Sequence, residues 1–341
     1  VLGLALAWAL GGSRSTELLF WAPVLLLWLV SPGGGWWISK PLLAPIPDLT
    51  DDQRAFLRAS ARRTWRFFAE FVGPQDNWLP PDNFQQYPQP VIAARTSPTN
   101  IGMALLADLA AYDFGYICAG EFLQLVESTL ATMERLERYR GHFYNWYDTH
   151  TLQPLHPQYV SSVDSGNLAG SLLTLQAGLV ELKHQPILSA NAFQGLQDTL
   201  QVLAEHLPAS PDPDLAKQVR LLQDTLHSVT LPEHTPKAPL LTLAAAASLL
   251  DEIHRIGGGL LASLPADIDI DGELYYWAQA FDRQSRALRD DLELLVPGLV
   301  NFSTIPTLAD LAREPAVGSE APGSAGGIAG SRYRGAVERL R

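Results

Sequence analysis

Cysteine is all but missing from this chain. Cys118 stands alone among 341 residues, so no internal disulfide can form and no cysteine-based metal site can be assembled. Within FGYICAG it reads as a small buried residue. Basic residues are also short, 24 Lys and Arg against 36 Asp and Glu for a net charge of −12. Phosphate backbones are held by dense Lys/Arg surfaces, so nucleic acid is excluded as a partner. No GxGxxG, GxxxxGK[ST] or GxSxG pattern occurs, which leaves nucleotide, P-loop and serine-hydrolase chemistry without a motif. Period-two alternation and a fixed repeat are missing too, which argues against a sheet protein and a regular solenoid.

What remains is apolar and aromatic. Hydrophobic residues make up 47% of the chain, enough for one large domain or two ordinary ones. Nine tryptophans exceed what such a core asks for, and some are expected to face a ligand or a lipid. The chain opens without methionine on VLGLALAWAL (1–10), and LLFWAPVLLLWLV (18–30) follows. With its flanks the second run approaches the ~20 residues of a span. Residues 1–40 are therefore expected to hold one or two transmembrane helices, the first truncated, with a buried helical hairpin as the alternative. Trp21, Trp28, Trp36 and Trp37 would form an interfacial belt, and Lys40 with the arginines from Arg54 to Arg66 would keep the following domain cytoplasmic.

PLLAPIPDLT (41–50), with Pro41, Pro45 and Pro47, reads as a linker into a capped helix. Apolar periodicity then predicts helices over 51–70, 98–112, 121–139, 164–184, 190–207, 213–229, 240–257 and 271–295. The expected class is all-α, built from paired helices. Two connections are far longer than compact helical domains use: 73–97 and 140–162. Both are rich in aromatics, amides and carboxylates and poor in lysine. Such a mixture suits a neutral polyhydroxylated ligand, because aromatic faces cover the C–H faces of a sugar ring while Asp, Asn, His and Arg bond its hydroxyls. The competing reading is two loops packed onto the core.

Smaller motifs carry less. Asp267, Asp269, Asp271 and Gly272 match the start of an EF-hand loop, but its twelfth position is Ala278, so the carboxylates are read as capping the helix that follows. His142, His150 and His156 have no helical spacing, and no metal site is expected. YVSSVDSGNLAGSLLTL (159–175) sets Asp164 and Asn167 at the mouth of a helix, where Asp164 serves as an N-cap, as a residue facing a cleft, or as both.

The stretches ARRTWRFFAEFVGPQDNWLPPDNFQ (61–85), ARTSPTNIGMALLADLAAYDFGYI (94–117), RLERYRGHFYNWYDTHTLQPL (135–155) and YVSSVDSGNLAGSLL (159–173) resemble the middle region of bacterial cyclic β-1,2-glucan synthases. The likeness is dense over about residues 35–185. It implies a fragment of a large inner-membrane enzyme, contributing the first helices of an incomplete (α/α)6 toroid barrel over 51–185. A helical insertion or continuation follows at 186–312, then a Gly/Pro-rich linker at 313–332 and the start of a truncated helix at 333–341. By the same resemblance, the barrel closes a linear β-1,2-glucan by transglycosylation while a different domain uses UDP-glucose, so the fragment itself needs no cofactor. Its partners would be the glucan, the lipid bilayer and the remaining domains. The resemblance places Trp78, Asp82, Asn83, Arg95, Thr96, Asn100, His142, Tyr144, Asn145, Trp146, Asp148 and Asn167 on the glucan, with Asp164 as an auxiliary catalytic residue. The acidic pair required by a retaining mechanism would lie outside this chain, leaving the fragment inactive alone. The alternative is a membrane-tethered, non-catalytic domain that binds or scaffolds glucan.

Overall fold

The computed structural model describes residues 15–40, 49–229, 242–265, 268–297 and 304–313. The apolar run at 1–10, Asp267, most of the 41–50 linker and the segments at 314–341 lie outside these residues. The chain divides into two compact units, Val1–Thr50 and Asp51–Arg341.

The first unit contains one described helix, α1 (Ser15–Ile38), with Pro23 and Pro32 inside it. Trp28, Leu29, Val30, Trp36 and Trp37 are exposed on it, and Lys40 Nζ sits 3.8 Å above the Trp36 ring. Among the described residues no helix is long and apolar enough to cross a membrane, which corrects the expected span at 18–37. The apolar run stops at Val30, and Ser31, Pro32 and the three glycines after it dilute the rest of the helix below what a hydrocarbon core of ~20 apolar residues requires.

The second unit is mostly helical. Its helices are α2 (Asp51–Phe71), α3 (Pro98–Asp113), α4 (Ala119–Arg135), α5 (Ser162–Leu182), α6 (Ala190–Ala204), α7 (Pro213–His227), α8 (Leu243–Ala262), α9 (Glu273–Leu295) and the short α10 (Leu308–Leu311). Their starts follow cap chemistry. Ser97 accepts a hydrogen bond from the Asn100 N–H with Pro98 in the first helical turn, and Asp212 with Pro213 repeats the device at α7. Of the described carboxylates before α9, Asp269 closes the preceding turn instead of capping, its Oδ1 accepting from the Asp271 N–H at 3.1 Å, and Gly272 is the N-cap without a side-chain bond.

Two apolar clusters fill this unit. Trp65, Ile101, Leu105, Phe122, Tyr147 and Leu168 belong to one, drawn from α2 to α5 and the loops between them. Phe193, Leu200, Leu222, Ile253, Trp277 and Phe281 belong to the other, drawn chiefly from α6 to α9. Helix α3 packs on α5, and α9 packs on α6 and α8.

The two long loops are not strandless, as the sequence pattern implied, but carry five strands of two residues each, and a sixth lies at 138–139, where a helix was expected. β1 (Phe84–Gln85) pairs with β2 (Val91–Ile92), and β4 (Arg138–Tyr139) pairs with β5 (His142–Phe143). The third pair joins the loops to one another: β3 (Arg95–Thr96) runs antiparallel to β6 (Tyr147–Asp148), with Arg95 opposite Asp148 and Thr96 opposite Tyr147. Asn77 reinforces the junction, its Nδ2 donating to the carbonyls of Thr149 at 2.8 Å and His150 at 3.1 Å.

Candidate functional site

The β3–β6 pairing brings residues fifty positions apart in sequence into one polar and aromatic cluster. Arg95 donates to Asp82 Oδ2 from Nη2 at 2.8 Å and from Nε at 3.1 Å. Asn83 and Asn100 close on the same carboxylate, Nδ2 lying 3.2 Å from Oδ2 and 3.4 Å from Oδ1 respectively. The Arg95 guanidinium also lies 4.9 Å from the centre of the Trp146 ring, a cation–π contact that fixes the indole.

Asn145 links this half to the mouth of α5. Its partners assign the amide the orientation in which the nitrogen donates to Asp164 Oδ2 at 2.9 Å and the oxygen accepts from Trp146 Nε1 at 2.9 Å and Tyr159 OH at 2.8 Å. The opposite orientation would set N–H against N–H and oxygen against carboxylate. Ser161, rather than Asp164, is the N-cap of α5: its Oγ accepts from the Asp164 N–H at 3.1 Å. Asp164 is thus the third helical residue, with its carboxylate free to turn toward the loops. Burial raises its pKa, but hydrogen bonds from Ser161 and then Thr99 outweigh that cost and hold it below the ordinary carboxylate range. Asn167, one turn on, donates to Thr99 Oγ1 at 3.1 Å.

Other predicted positions lie elsewhere. Thr96 is fully buried, and its hydroxyl has no hydrogen-bond partner. His142 is exposed on the β4–β5 hairpin. Tyr144 donates its N–H to Tyr147 OH at 2.7 Å, which in turn donates to Glu137 O at 2.7 Å, so its backbone belongs to the loop's internal frame. Asp148 spends Oδ1 on its own turn, accepting from Thr151 N–H at 2.7 Å and His150 N–H at 3.0 Å. The Thr151 bonds come first among the causes that depress its pKa. Trp78 lines a different cleft, against α2, α4 and α9. Sequence reasoning missed Thr99 and Tyr159. Their roles come from which loop meets which helix, although Tyr159 opens the quoted α5 motif.

Chemically the cluster offers carboxylate acceptors in Asp82 and Asp164, donors in Arg95, Asn100 and Asn167, and ring surface in Trp146 and Tyr159, the latter exposed. Asp82 is committed to Arg95 and Asp164 is held charged, so neither is set to donate a proton. Among the described residues no group of three His, Cys, Asp or Glu side chains could hold a metal ion.

No protein-family model matches this chain. Over 194 residues, 56% of the chain, it is 44% identical to the cyclic beta-(1,2)-glucan synthase NdvB of Rhizobium meliloti (strain 1021), and the match spans 7% of that protein's length. Among solved structures, a protein of Bacteroides fragilis NCTC 9343 described as a glucoamylase aligns at 21% identity and a TM-score of 0.27. That alignment covers 55% of this chain and 37% of the other.

Proposed function

We propose that this chain is part of a glucan-processing enzyme of the cyclic β-1,2-glucan synthase type and supplies one wall of its glucan cleft. The observation that carries the reading is the bonded array Asp82, Arg95, Trp146, Asn145 and Asp164. It sets an aromatic face among polar groups, as a pyranose ring requires, and it belongs to a chain that is 44% identical over 194 residues to a cyclic glucan synthase. On this reading Asp164 is an ionised acceptor that orients a sugar hydroxyl or a catalytic partner, since a depressed pKa suits it for a base or positioning role and not for a general acid. The proton-donating carboxyl would come from another part of the longer polypeptide, as would any domain that uses UDP-glucose.

The barrel is read as incomplete within this chain because α5 leaves an apolar face uncovered: Val163, Leu173 and Val180 are exposed along it, as is Met103 on α3. Further helices of the same polypeptide are the proposed cover. The charged state of Asp164 also favours the second reading, in which this chain binds glucan without cutting or closing it. Both readings expect weak binding of linear β-1,2-glucan and no turnover by the isolated chain. Trp146→Ala should weaken that binding about tenfold, the loss of roughly 1.4 kcal/mol of ring contact, with the circular dichroism spectrum unchanged. Wild-type affinity in the variant would return Trp146 to a packing role, and turnover by the isolated chain would refute the division of labour.

A further inference from the structure

A cleft of about 1080 Å³ opens between α2, α4 and α9, and none of Asp82, Arg95, Trp146 or Asp164 lines it. That volume is of the order of small-molecule sites. Trp65, Trp78 and Tyr276 contribute aromatic walls, and Glu121, Gln124 and Asp290 contribute polar groups. Beneath them Arg62, also part of the lining, is only 4% exposed. Its Nε donates to Thr199 Oγ1 at 2.7 Å, and its guanidinium lies 5.3 Å from the Tyr116 ring and 5.0 Å from the Trp277 ring. Its Nη1 is buried with no hydrogen-bond partner, a donor that the protein leaves unmet, which is uncommon in a folded interior. Glu121 keeps open surface and lines the cleft. Burial, and then the Asp291 charge, raise its pKa to about 7, so near neutrality it both donates and accepts.

We propose that this cleft is a second binding site, separate from the Asp82–Trp146–Asp164 cluster, and that it takes a neutral pyranose such as a glucose unit of a short glucan. Aromatic walls beside groups able to donate and accept hydrogen bonds match the two kinds of surface a sugar presents. An anionic ligand is disfavoured because the lining carboxylates Glu121, Glu127, Asp290 and Asp291 outnumber Arg62 and Arg283. The same excess of carboxylates would suit a cation, so glucosamine binding more tightly than sophorose would overturn the neutral assignment. An apolar ligand would leave the polar lining unpaired. Only the choice of glucose rests on the glucan reading above; the cleft and its lining do not.

The test titrates the 341-residue chain with sophorose, the β-1,2-linked glucose disaccharide, while following the indole N–H resonances of Trp78 and Trp146 separately by NMR. The Trp78 signal should shift on a saturable curve. Glu121→Leu and Gln124→Ala should each weaken the binding at this cleft about tenfold, whereas Trp146→Ala leaves the Trp78 curve intact. If Glu121→Leu fails to fold, Gln124→Ala is the variant to rely on. An unmoved Trp78 resonance, or a wild-type Trp78 curve in Glu121→Leu, overturns the proposal. So does glucuronate binding more tightly than sophorose at Trp78. If Trp78 responds and Trp146 does not, the second site stands and the glucan reading of the first cluster falls.

Discussion

Two buried or half-buried carboxyls show how one fold pushes like groups in opposite directions. Asp164 is stabilised in its charged form, so it contributes stability above its unfolded pKa that is lost as pH falls through the depressed folded value. Asp108 is the reverse. It is 2% exposed within α3, and burial, then the Glu121 charge, raise its pKa to about 7 from an ordinary 3.8. The unfolded chain gives up this proton near pH 4 while the folded protein keeps it to about 7. Stability therefore falls as pH rises across that window, by on the order of 4 kcal/mol for the full interval, and is constant on either side. Asp108→Asn carries no proton to lose, so its urea stability should fall less than the wild type's between pH 5 and pH 8, by roughly 3 kcal/mol. Equal slopes in the two proteins would mean that Asp108 is ionised in the native state across the whole range. The sequence made the cluster members legible through composition: tryptophan, arginine, amide and carboxylate crowded into loops without lysine. It could not reveal that Asp148 would close its own turn, or that Thr99 and Tyr159 would join Asp164 and Asn145. The Asp148 turn is local chemistry that composition does not single out, Tyr159 meets Asn145 within one loop, and only the Thr99 contacts depend on which distant segment meets the mouth of α5.

At the scale of elements, helix starts were the most readable feature because they are written in local chemistry. Ser97-Pro98 and Asp212-Pro213 begin helices where the sequence places them. The end of α4 was not readable: helical periodicity continues to 139, but the helix stops at Arg135 and Leu136 turns extended so that Arg138 and Tyr139 can pair with β5. Two-residue strands of this kind owe their existence to their partners and leave no alternating pattern. The junction of α6 with the turn after α3 was equally silent, since it depends on two glycines. Gly115 has φ +77, and a Cβ on Gly195 would come within 2.3 Å of the Gly115 carbonyl oxygen. The contact is backbone against backbone, so no rotamer can relieve it. Gly195→Ala should destabilise the protein by about 2–3 kcal/mol through overpacking, whereas Ser161→Ala, which removes the α5 cap and a hydrogen bond to the Asp164 carboxylate, should cost about 1 kcal/mol. Thermal melts of the two variants should rank them in that order, and a Gly195→Ala melt at the wild-type temperature would mean that α6 can shift away from the turn without penalty.

Across the whole of the 51–341 unit, the question is whether its two apolar clusters fold as one. A buried polar chain ties them together. Arg62 of α2 donates to Thr199 Oγ1 of α6 at 2.7 Å, and Thr199 Oγ1 donates to Gln284 Oε1 of α9 at 2.6 Å. Gln284 Nε2 then donates to the Gly115 carbonyl at 2.8 Å, on the turn that follows α3. Arg58 adds a second tie from α2, its Nε donating to both carboxylate oxygens of the buried Asp198 on α6, at 2.9 and 3.0 Å. The sequence hinted at none of this, because the arginines from Arg54 to Arg66 read as positive charge that keeps the following domain cytoplasmic. Such chains are stabilising only when every link is satisfied, and removing one link strands the groups on either side. Thr199→Val keeps shape and volume but leaves the Arg62 Nε–H unpaired beside an Nη1 that already lacks a partner. The substitution should cost about 3 kcal/mol, the penalty for a buried charged donor. Because the chain spans both clusters, the loss should be shared. With fluorinated tryptophans, Trp65 reports on the α2–α5 cluster and Trp277 on the α6–α9 cluster, and their urea midpoints should coincide in the wild type and move down together in the variant. If only the Trp277 midpoint moved, the two clusters would be separate folding units joined by a polar seam, and helices α6–α9 could be lost without unfolding the loops that hold the Asp82–Trp146–Asp164 cluster.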